Sequence, residues 1–470
     1  MVEYTGTTKR RIILSTTKNI SSDFTTGSIA KQVLWFSIPF MLSNALQVLY
    51  STIDMIIVGA FVGTAGLSAV SQSSQIINFA VMICLGFSNA GQVLVAQALG
   101  AKKKKEMSEI IGTLFCFVTL VSLIFSVVMI ILAKPILTAM NVPIESYDMA
   151  YDYIIISSIG LFFTAGYNMV SAVLRGMGDG KRPLLFIGIA SGVNLVLDLI
   201  FVGPLKMGVA GAAWATIIGQ AVSFIFSLFY LYKRKEAFGF DFKLESFRMK
   251  RNYSMLILKL GTPMAIQSGF INISMMFVNA MINDVGLVES ATFGVGVRID
   301  DIINKLCHGI QFAAMPIISQ NDGAGNTHRM KGAVKWAIIY SSILTVLFML
   351  LYVFLGEEMF RLFSDDPLVH DMSRTFITAI LWMFPAFAIM RGSGAFIQGI
   401  GHAKLCMALA MLDGVVLRIG LSWFFGTVLG WGFYGYVLGY GLAPYGYAIP
   451  SMLYFLFGKW QNRQSISSEL

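Results

Sequence analysis

Residues 34–61 read LWFSIPFMLSNALQVLYSTIDMIIVGAF, and this stretch decides the class of fold. A hydrocarbon core of about 30 Å needs about 20 apolar residues at 1.5 Å each, so the stretch is long enough to cross a bilayer as a helix. It contains one carboxylate, Asp54, and one proline, Pro39, fifteen positions earlier. Because a carboxylate inside a membrane span costs roughly 2.5–3.5 kcal/mol or more, Asp54 is a candidate functional residue.

The composition of the whole chain is that of a membrane protein. Of its 470 residues, 56% are hydrophobic and 13% are charged, and the mean hydropathy is +0.72. About a quarter of a typical soluble chain is charged. The net charge of +9 is explained by Lys and Arg in cytoplasmic loops, so no nucleic-acid partner is expected. The four cysteines lie in apolar stretches without a CxxC pair, which argues against disulfides and a zinc site.

Hydropathy divides the chain into twelve predicted spans in an all-α fold. Their limits are 32–62, 68–98, 108–133, 148–175, 182–203, 209–232, 255–283, 290–319, 332–355, 371–399, 404–429 and 433–458. If the N-terminal tail is cytoplasmic, the inward connections include Lys102–Lys105 and Lys233–Arg251, whereas the outward ones are short and neutral or acidic. The positive-inside bias therefore predicts a multi-pass plasma-membrane protein with both termini in the cytoplasm.

The two halves of the chain repeat. AQALGAK at 96–102 lies 223 positions before SQNDGAG at 319–325, and RGMGDGK at 175–181 lies 223 positions before QGIGHAK at 398–404. We predict an N-lobe of residues 1–240 with spans 1–6 and a C-lobe of residues 241–470 with spans 7–12. Six is an even number, so the lobes should be two six-helix bundles related by a pseudo-twofold axis along the membrane normal. The polar segment at 233–251 is predicted to link them, with a membrane-surface helix as the alternative.

Four polar residues of the first lobe are predicted to lie at one depth in the outer half of the bilayer. Asn194 and Asp198 are four residues apart and therefore share a helix face. Counted from the ends of their spans, Asp54 and Thr216 reach a similar depth. Two carboxylates, an amide and a hydroxyl suit a small hard cation such as Na⁺, or a proton shared between buried acids. We predict a coupling site for H⁺ or Na⁺ at these residues and no other cofactor.

The second lobe lacks this carboxylate pair and has a different polar set. The repeat offset places Phe277 or Val278 opposite Asp54, and Leu421 opposite Asp198. Two interpretations stay open for the polar side chains of spans 8, 10 and 11: an internally neutralised network, or a second proton or substrate site. These side chains are Arg298, Asp300, Asp301, Lys305, His308, Arg391, Asp413 and Arg418. Helical spacing favours pairing of Asp301 with Arg298 and with Lys305.

The chain resembles the multidrug and toxic compound extrusion (MATE) transporters from about residue 28 to 458. The motifs that carry the resemblance are SIPFMLSNALQVLYSTIDMIIVG at 37–59, VAQALGAK at 95–102, LRGMGDGKRP at 174–183, NLVLD at 194–198 and QNDGAGN at 320–326. The resemblance implies a V-shaped pair of six-helix bundles that exports organic, often cationic and lipophilic, compounds in exchange for protons or sodium. It also implies that Asp54, Asn194, Asp198 and Thr216 form the coupling site.

A secondary active antiporter is therefore the expected function, and an enzyme is not expected. Pro39 is the predicted hinge of span 1. The substrate-cavity candidates are Gln47, Tyr50, Asn168, Arg298, Asp300, Asp301 and Arg418. The expected partners are small organic molecules and the lipid bilayer, and the expected state is a monomer. The alternative function is a lipid-linked precursor flippase of the same architecture, which would line its cavity with several cations.

Overall fold

The structure is a computed structural model that describes residues 22–468, except for the side chains of Ala237, Phe238 and Ser268. The N-terminal tail at 1–21 and the last two residues lie outside the described residues. The prediction that the tail belongs to the N-lobe therefore concerns residues that the structure does not describe. Within the described range every regular element is helical. The predicted all-α fold is confirmed.

Twelve helical units follow one another along the chain. The first six are α1 (Ile29–Val62), α2 (Thr64–Gly100), α3 (Lys104–Ala139), α4 (Ile144–Gly176), α5 (Lys181–Phe201) and α6 (Gly208–Lys233). The next three are α7 (Arg251–Asn283), α8 (Leu287–Gly323) and α9 (Thr327–Arg361). The last three are α10 (Pro367–Ile380 and Met383–Gly399), α11 (Ala403–Val428) and α12 (Gly432–Leu442 and Tyr445–Phe457).

Nine of these helices in the described range are long and apolar enough to span a membrane, and the two segments of α10 make a tenth as a pair bent by 48°. The other two units differ for physical reasons. Four charged residues between Arg298 and Lys305 lower the hydropathy of α8. Ala443 and Pro444 divide α12 into segments of 11 and 13 residues. The twelve-helix, two-bundle architecture fits, and the predicted span at 371–399 corresponds to the bent pair of helices.

The two bundles share one core at one end and have separate cores at the other. We call the first end the basic end, because it contains Lys102–Lys105 and the start of α5 at Lys181. Its core includes residues of both halves, such as Val95 and Ile318. At the opposite end, Ile57 and Val202 belong to a first-half core, and Phe293 and Phe376 to a second-half core. The molecule therefore opens like a V away from the basic end.

Two glycines related by the repeat close the basic end. A methyl group on Gly100 would lie 1.9 Å from the backbone oxygen of Gln320, and one on Gly323 would lie 2.1 Å from that of Gln97. Each pair of positions, 100 with 323 and 97 with 320, has the 223-residue offset of the repeat. The ends of α2 and α8 thus cross backbone to backbone around the pseudo-twofold axis.

The segment between the lobes packs on α3 rather than forming a surface helix. Phe240 and Phe247 contact Phe115, with ring centroids 6.3 and 5.6 Å from it. The Lys250 ammonium pairs with Glu109 at 2.5 Å. Only one turn at Lys235–Phe238 and a short 3₁₀ turn are helical here. The linker interpretation agrees with this arrangement, and the membrane-surface helix is wrong.

Candidate functional site

Three helices bring the four predicted coupling residues of the first lobe together. Asp54 on α1 and Asp198 on α5 face each other through their carboxyl groups. One turn before Asp198, the Asn194 side-chain nitrogen lies 3.4 Å from the Thr216 hydroxyl of α6. Asn194 and Asp198 share one face of α5, as their spacing requires. The site is a continuous polar cluster between α1, α5 and α6.

A glycine on α6 permits this close approach. A methyl group on Gly219 would lie 2.8 Å from the backbone oxygen of Ala190 and 3.2 Å from the Asn194 side chain. Gly219 stands one turn after Thr216, so the two residues share the face that α6 presents to α5. The absence of a side chain at Gly219 therefore sets the distance between Thr216 and Asn194.

The carboxylate oxygens of the cluster are withdrawn from solvent and short of donors. Asp54, Asn194 and Asp198 are 9%, 5% and 1% exposed. Oδ1 of Asp54 and both oxygens of Asp198 are buried without a hydrogen-bond donor among the described residues. Buried carboxylates without donors are strongly unfavourable unless a proton or a cation neutralises them. The arrangement is therefore chemically suited to bind a proton or a cation.

Two cavities adjoin the cluster and share Tyr50 and Asp54. One, of about 330 Å³, lies inside the lobe and is also lined by Gln47, Asn168 and Thr216. The other, of about 270 Å³, lies between α1 and α5 and reaches Asn194 and Asp198. The three cavity candidates of the first lobe thus line the cavity that contains the carboxylate of Asp54.

Sequence reasoning missed other polar residues that line the larger cavity. They are Ser51, Ser74, Asn78, Tyr153, Ser157, Thr164, Tyr167 and Gln220. Of these, Ser51, Thr164 and Gln220 carried a signal, because each lies three or four residues from a predicted site residue on the same helix. The other residues from α2 and α4 carried no such signal, since only the packing of those helices brings them to Asp54.

In the second lobe, the polar side chains form separate contacts rather than one network. The Tyr352 hydroxyl donates to Asp300 at 2.7 Å, and Lys305 pairs with Asp301 at 2.7 Å on the surface. Arg298 is exposed and has no ion pair in the part of the chain that the structure describes. The predicted pairing of Asp301 with Lys305 agrees with the structure, and the pairing with Arg298 does not.

The two buried arginines of the second lobe also have separate partners. Arg418 donates to Asp413 at 3.0 Å, and both side chains are buried. Arg391 is 1% exposed and lies between neutral groups, with Gln311 at 3.0 Å and His308 at 2.9 Å. Arg391 has no carboxylate within ion-pair distance among the described residues. Arg298, Arg391 and Arg418 therefore do not form one basic cavity.

The described residues contain no cluster of three or more His, Cys, Asp or Glu side chains able to hold a metal ion. A cation at the first-lobe site would instead have two carboxylates, with the neutral oxygens of Asn194 and Thr216 completing its coordination. Oxygen ligands of this mixed kind are those that hard cations prefer.

Two six-helix bundles joined at one end, with buried acids beside an internal cavity, define a class: polytopic membrane transporters. The comparisons specify the family. A model described as MatE matches residues 39–200 and 263–424, once in each half at an offset of 224. The chain therefore belongs to the MATE family of membrane transporters.

Individual relatives and solved structures agree with this assignment. The chain is 31% identical to the probable multidrug resistance protein YpnP of Bacillus subtilis (strain 168), over 93% of this chain and 97% of that protein. It is 25% identical to the multidrug export protein MepA of Staphylococcus haemolyticus (strain JCSC1435), over 84% and 86%. It has the fold of an outward-facing MATE transporter of the MOP superfamily, with a TM-score of 0.87 and 23% identity over 96% and 100%.

Proposed function

We propose that the protein exports organic, lipophilic and often cationic compounds from the cell in exchange for protons or sodium ions. The observation that carries the proposal is the buried contact between the carboxyl groups of Asp54 and Asp198, with donor-free oxygens beside a cavity. The substrate class is supported by relatives of the chain that are named as multidrug export and multidrug resistance proteins.

The mechanism follows from charge neutralisation at this contact. In the state open away from the basic end, a proton or a sodium ion binds between Asp54 and Asp198. Neutralisation removes the repulsion between the two carboxylates and lets α1 pack closer to α5. Because Asp54 also lines the substrate cavity, the rearrangement weakens the binding of a cationic compound and releases it. Return to the opposite state delivers the ion to the other side.

Pro39 is the proposed hinge of this movement. It lies within the continuous helix α1, fifteen residues before Asp54. Proline removes one backbone hydrogen bond and so gives a helix a point at which it bends easily. The residues on both sides of Pro39, Phe36 and Phe40, are buried with ring centroids 5.1 Å apart. The basic end of α1 would therefore stay fixed while the part that carries Asp54 moves.

An antiporter agrees with the charges better than a lipid-linked precursor flippase. A flippase for pyrophosphate-linked substrates needs several cations that face the cavity in which the substrate crosses the membrane. Here Arg418 is neutralised by Asp413, and Arg391 is enclosed by amide and imidazole groups. The first-lobe cavity is lined by neutral side chains and Asp54.

The proposal is tested by reconstituting the full chain in vesicles and following a panel of fluorescent organic cations. A proton gradient and a sodium gradient are imposed in turn. We expect one of the two ion gradients to drive the dye against the dye's own concentration gradient. Dissipation of that ion gradient should stop the movement. Movement that follows only the dye gradient under both conditions would refute antiport.

A further inference from the structure

A cavity at the basic end, remote from the coupling site, contains an excess of positive charge. It measures about 830 Å³ and lies between the starts of α1 and α5, and its cations are Lys31, Lys181, Arg182 and Arg234. The acid in its wall is Asp179, which Arg182 engages at 3.0 Å. The guanidinium of Arg182 also lies 5.6 Å from the ring centre of Tyr230.

Three of these cations have no acidic partner. Lys31, Lys181 and Arg234 are exposed, and no carboxylate of the described residues lies within 4.0 Å of their charged nitrogens. Like charges that converge on one cavity repel each other unless an anion binds among them. The cavity is therefore complementary to a negatively charged group.

An apolar groove continues from this cavity towards the membrane centre. It has a volume of about 630 Å³ and is lined by Leu42, Leu46, Leu184, Leu185, Gly188 and Ile189. The two spaces share Lys181 and Leu185. From Lys181 to Ile189 the groove follows α5 for about 12 Å, at about 1.5 Å per residue. This length matches a large part of one acyl chain in a leaflet about 15 Å thick.

The position of the cavity corresponds to the headgroup level of the bilayer. Trp35 lines it, one turn after Lys31 on α1, and is 68% exposed. Exposed tryptophan is enriched at the membrane–water interface, where lysine and arginine meet anionic headgroups. Leu42 and Leu185, further along the two helices, are 50% and 58% exposed at a depth where hydrocarbon chains surround the protein.

We propose that this site binds one anionic phospholipid of the leaflet at the basic end. Its phosphate lies among Lys31, Lys181 and Arg234, and one acyl chain lies in the groove between α1 and α5. The bound chain touches the helix that carries Asp54 and the helix that carries Asp198. The lipid is thus a structural ligand at the hinge side of the first lobe, separate from the exported compound.

The test is native mass spectrometry of the purified, delipidated full chain with added phosphatidylglycerol or phosphatidylcholine of identical acyl chains. The unmodified chain should retain phosphatidylglycerol preferentially. The triple variant Lys31→Gln, Lys181→Gln, Arg234→Gln should lose roughly tenfold to hundredfold in affinity, since each cation near an anionic membrane contributes several-fold. The matched control is Lys104→Gln, Lys105→Gln, Lys335→Gln, which removes equal charge elsewhere at the same end.

Equal losses of phosphatidylglycerol affinity in both triple variants would mean diffuse attraction to a basic surface and would overturn the proposal. An unchanged affinity in both variants would also overturn it. If the site variant does not fold, the single variants Lys181→Gln and Lys104→Gln are compared instead.

The acyl-chain part is tested separately with Gly188→Leu, because Gly188 lines the groove and a Cβ atom there meets no atom within 4 Å. This variant should lose phosphatidylglycerol, whereas Gly420→Leu, equally free of neighbours on α11, should not. Binding of inorganic phosphate with no effect of Gly188→Leu would show an anion site without a lipid.

The other candidate occupant of the cavity is the N-terminal tail. The tail directly precedes Ser22, which lines the cavity. The tail carries Lys9, Arg10, Arg11 and Lys18 against one acid, Glu3, so its charge is unsuited to a basic cavity. Phosphatidylglycerol retention that appears only after deletion of residues 2–21 would assign the cavity to the tail and overturn the proposal.

Discussion

The ion pair of Asp413 and Arg418 shows how a local change of helix geometry creates a contact. The residues are five apart, and on an α-helix such positions point about 140° away from each other. Residues Leu412–Ile419 instead form a π-helical segment, in which the repeat is i to i+5. The wider turn places the Arg418 guanidinium 3.0 Å from the Asp413 carboxylate. Sequence spacing of three and four could not predict this pair.

Removing one partner of this buried pair should strongly destabilise the protein. Asp413→Asn leaves the Arg418 charge uncompensated, so we expect a loss of about 3–5 kcal/mol. Asp301→Asn, which breaks the exposed pair with Lys305, should lose at most about 1 kcal/mol. Thermal unfolding in detergent measures both.

The double variant Asp413→Asn, Arg418→Met removes both charges and should recover most of the loss. If Asp413→Asn unfolds at the same temperature as Asp301→Asn, the buried pair has no structural importance and the explanation is wrong.

The residues of the first-lobe cluster are easier to identify from the sequence than their neighbours are. Asp54 and Asp198 are identifiable because carboxylates are costly in apolar spans, and Asn194 because it lies one turn from Asp198. Depth in the membrane is the one indication of their convergence, since nothing in the sequence gives the rotation of α1 relative to α5. The assignment of Asp54, Asn194, Asp198 and Thr216 as the coupling site stays a prediction.

At the scale of helices, the contact between α5 and α6 determines the shape of the site. Gly219 lets the backbone of α5 approach α6 at Ala190, within a helix pair that also positions Asn194 and Thr216. Small residues at such crossings are the usual means by which membrane helices pack closely.

Gly219→Ala should therefore impair ion-driven transport. The added methyl group would lie 2.8 Å from a backbone oxygen, so the helices must separate, at a cost of about 1–3 kcal/mol. We expect the driven rate in vesicles to fall by roughly tenfold, which corresponds to about 1.4 kcal/mol. Gly420→Ala on α11 meets no atom within 4 Å and should transport normally. Equal rates in the two variants would contradict this role of Gly219.

The regular helices were predictable from hydropathy, but their interruptions were not. The limits of α1 to α7 follow apolar runs bounded by charge or glycine. The bend between Ile380 and Met383 includes Leu381, whose carbonyl would accept from position 385, where Pro385 has no N–H. Pro39 and Pro263, in contrast, lie within continuous helices. The break of α12 falls at Ala443 and Pro444, although Pro450 lies within the helical segment that follows. Proline permits a break without requiring one when neighbouring helices satisfy the backbone.

For the whole molecule, the closed basic end is the joint at which the two lobes meet. The contacts of Gly100 with Gln320 and of Gly323 with Gln97 are equivalent under the repeat. The chain ends add unequal contacts. Arg463 pairs with Asp322 at 2.5 Å, and Arg329 donates to the backbone oxygen of Phe24 at 2.8 Å. The duplication was predictable from the 223-residue offset, whereas these contacts of the tails have no counterpart in the repeat.

Gly100→Ala should shift the molecule away from this closed arrangement. The new methyl group would lie 1.9 Å from a backbone oxygen that cannot rotate away, so α2 and α8 must separate. Spin labels at positions 105 and 331, in a background with all four cysteines replaced by alanine, should report a larger share of long distances. Gly294→Ala, a position without neighbours within 4 Å, is the control. Identical distance distributions in the two variants would contradict the joint.

We propose that the contact between Asp54 and Asp198 couples ion flow to export, and one measurement tests this most directly. Ion-driven dye transport in vesicles and dye binding in detergent are compared for Asp54→Asn, Asp198→Asn and the exposed control Asp365→Asn. The two site variants should lose at least about tenfold in driven transport, within the range of typical coupling energies, whereas the control stays nearly unchanged. Asp54→Asn should also bind a cationic dye more weakly, because it removes the charge of a carboxylate that lines the cavity. Full driven transport in both Asp54→Asn and Asp198→Asn would contradict the role of this pair.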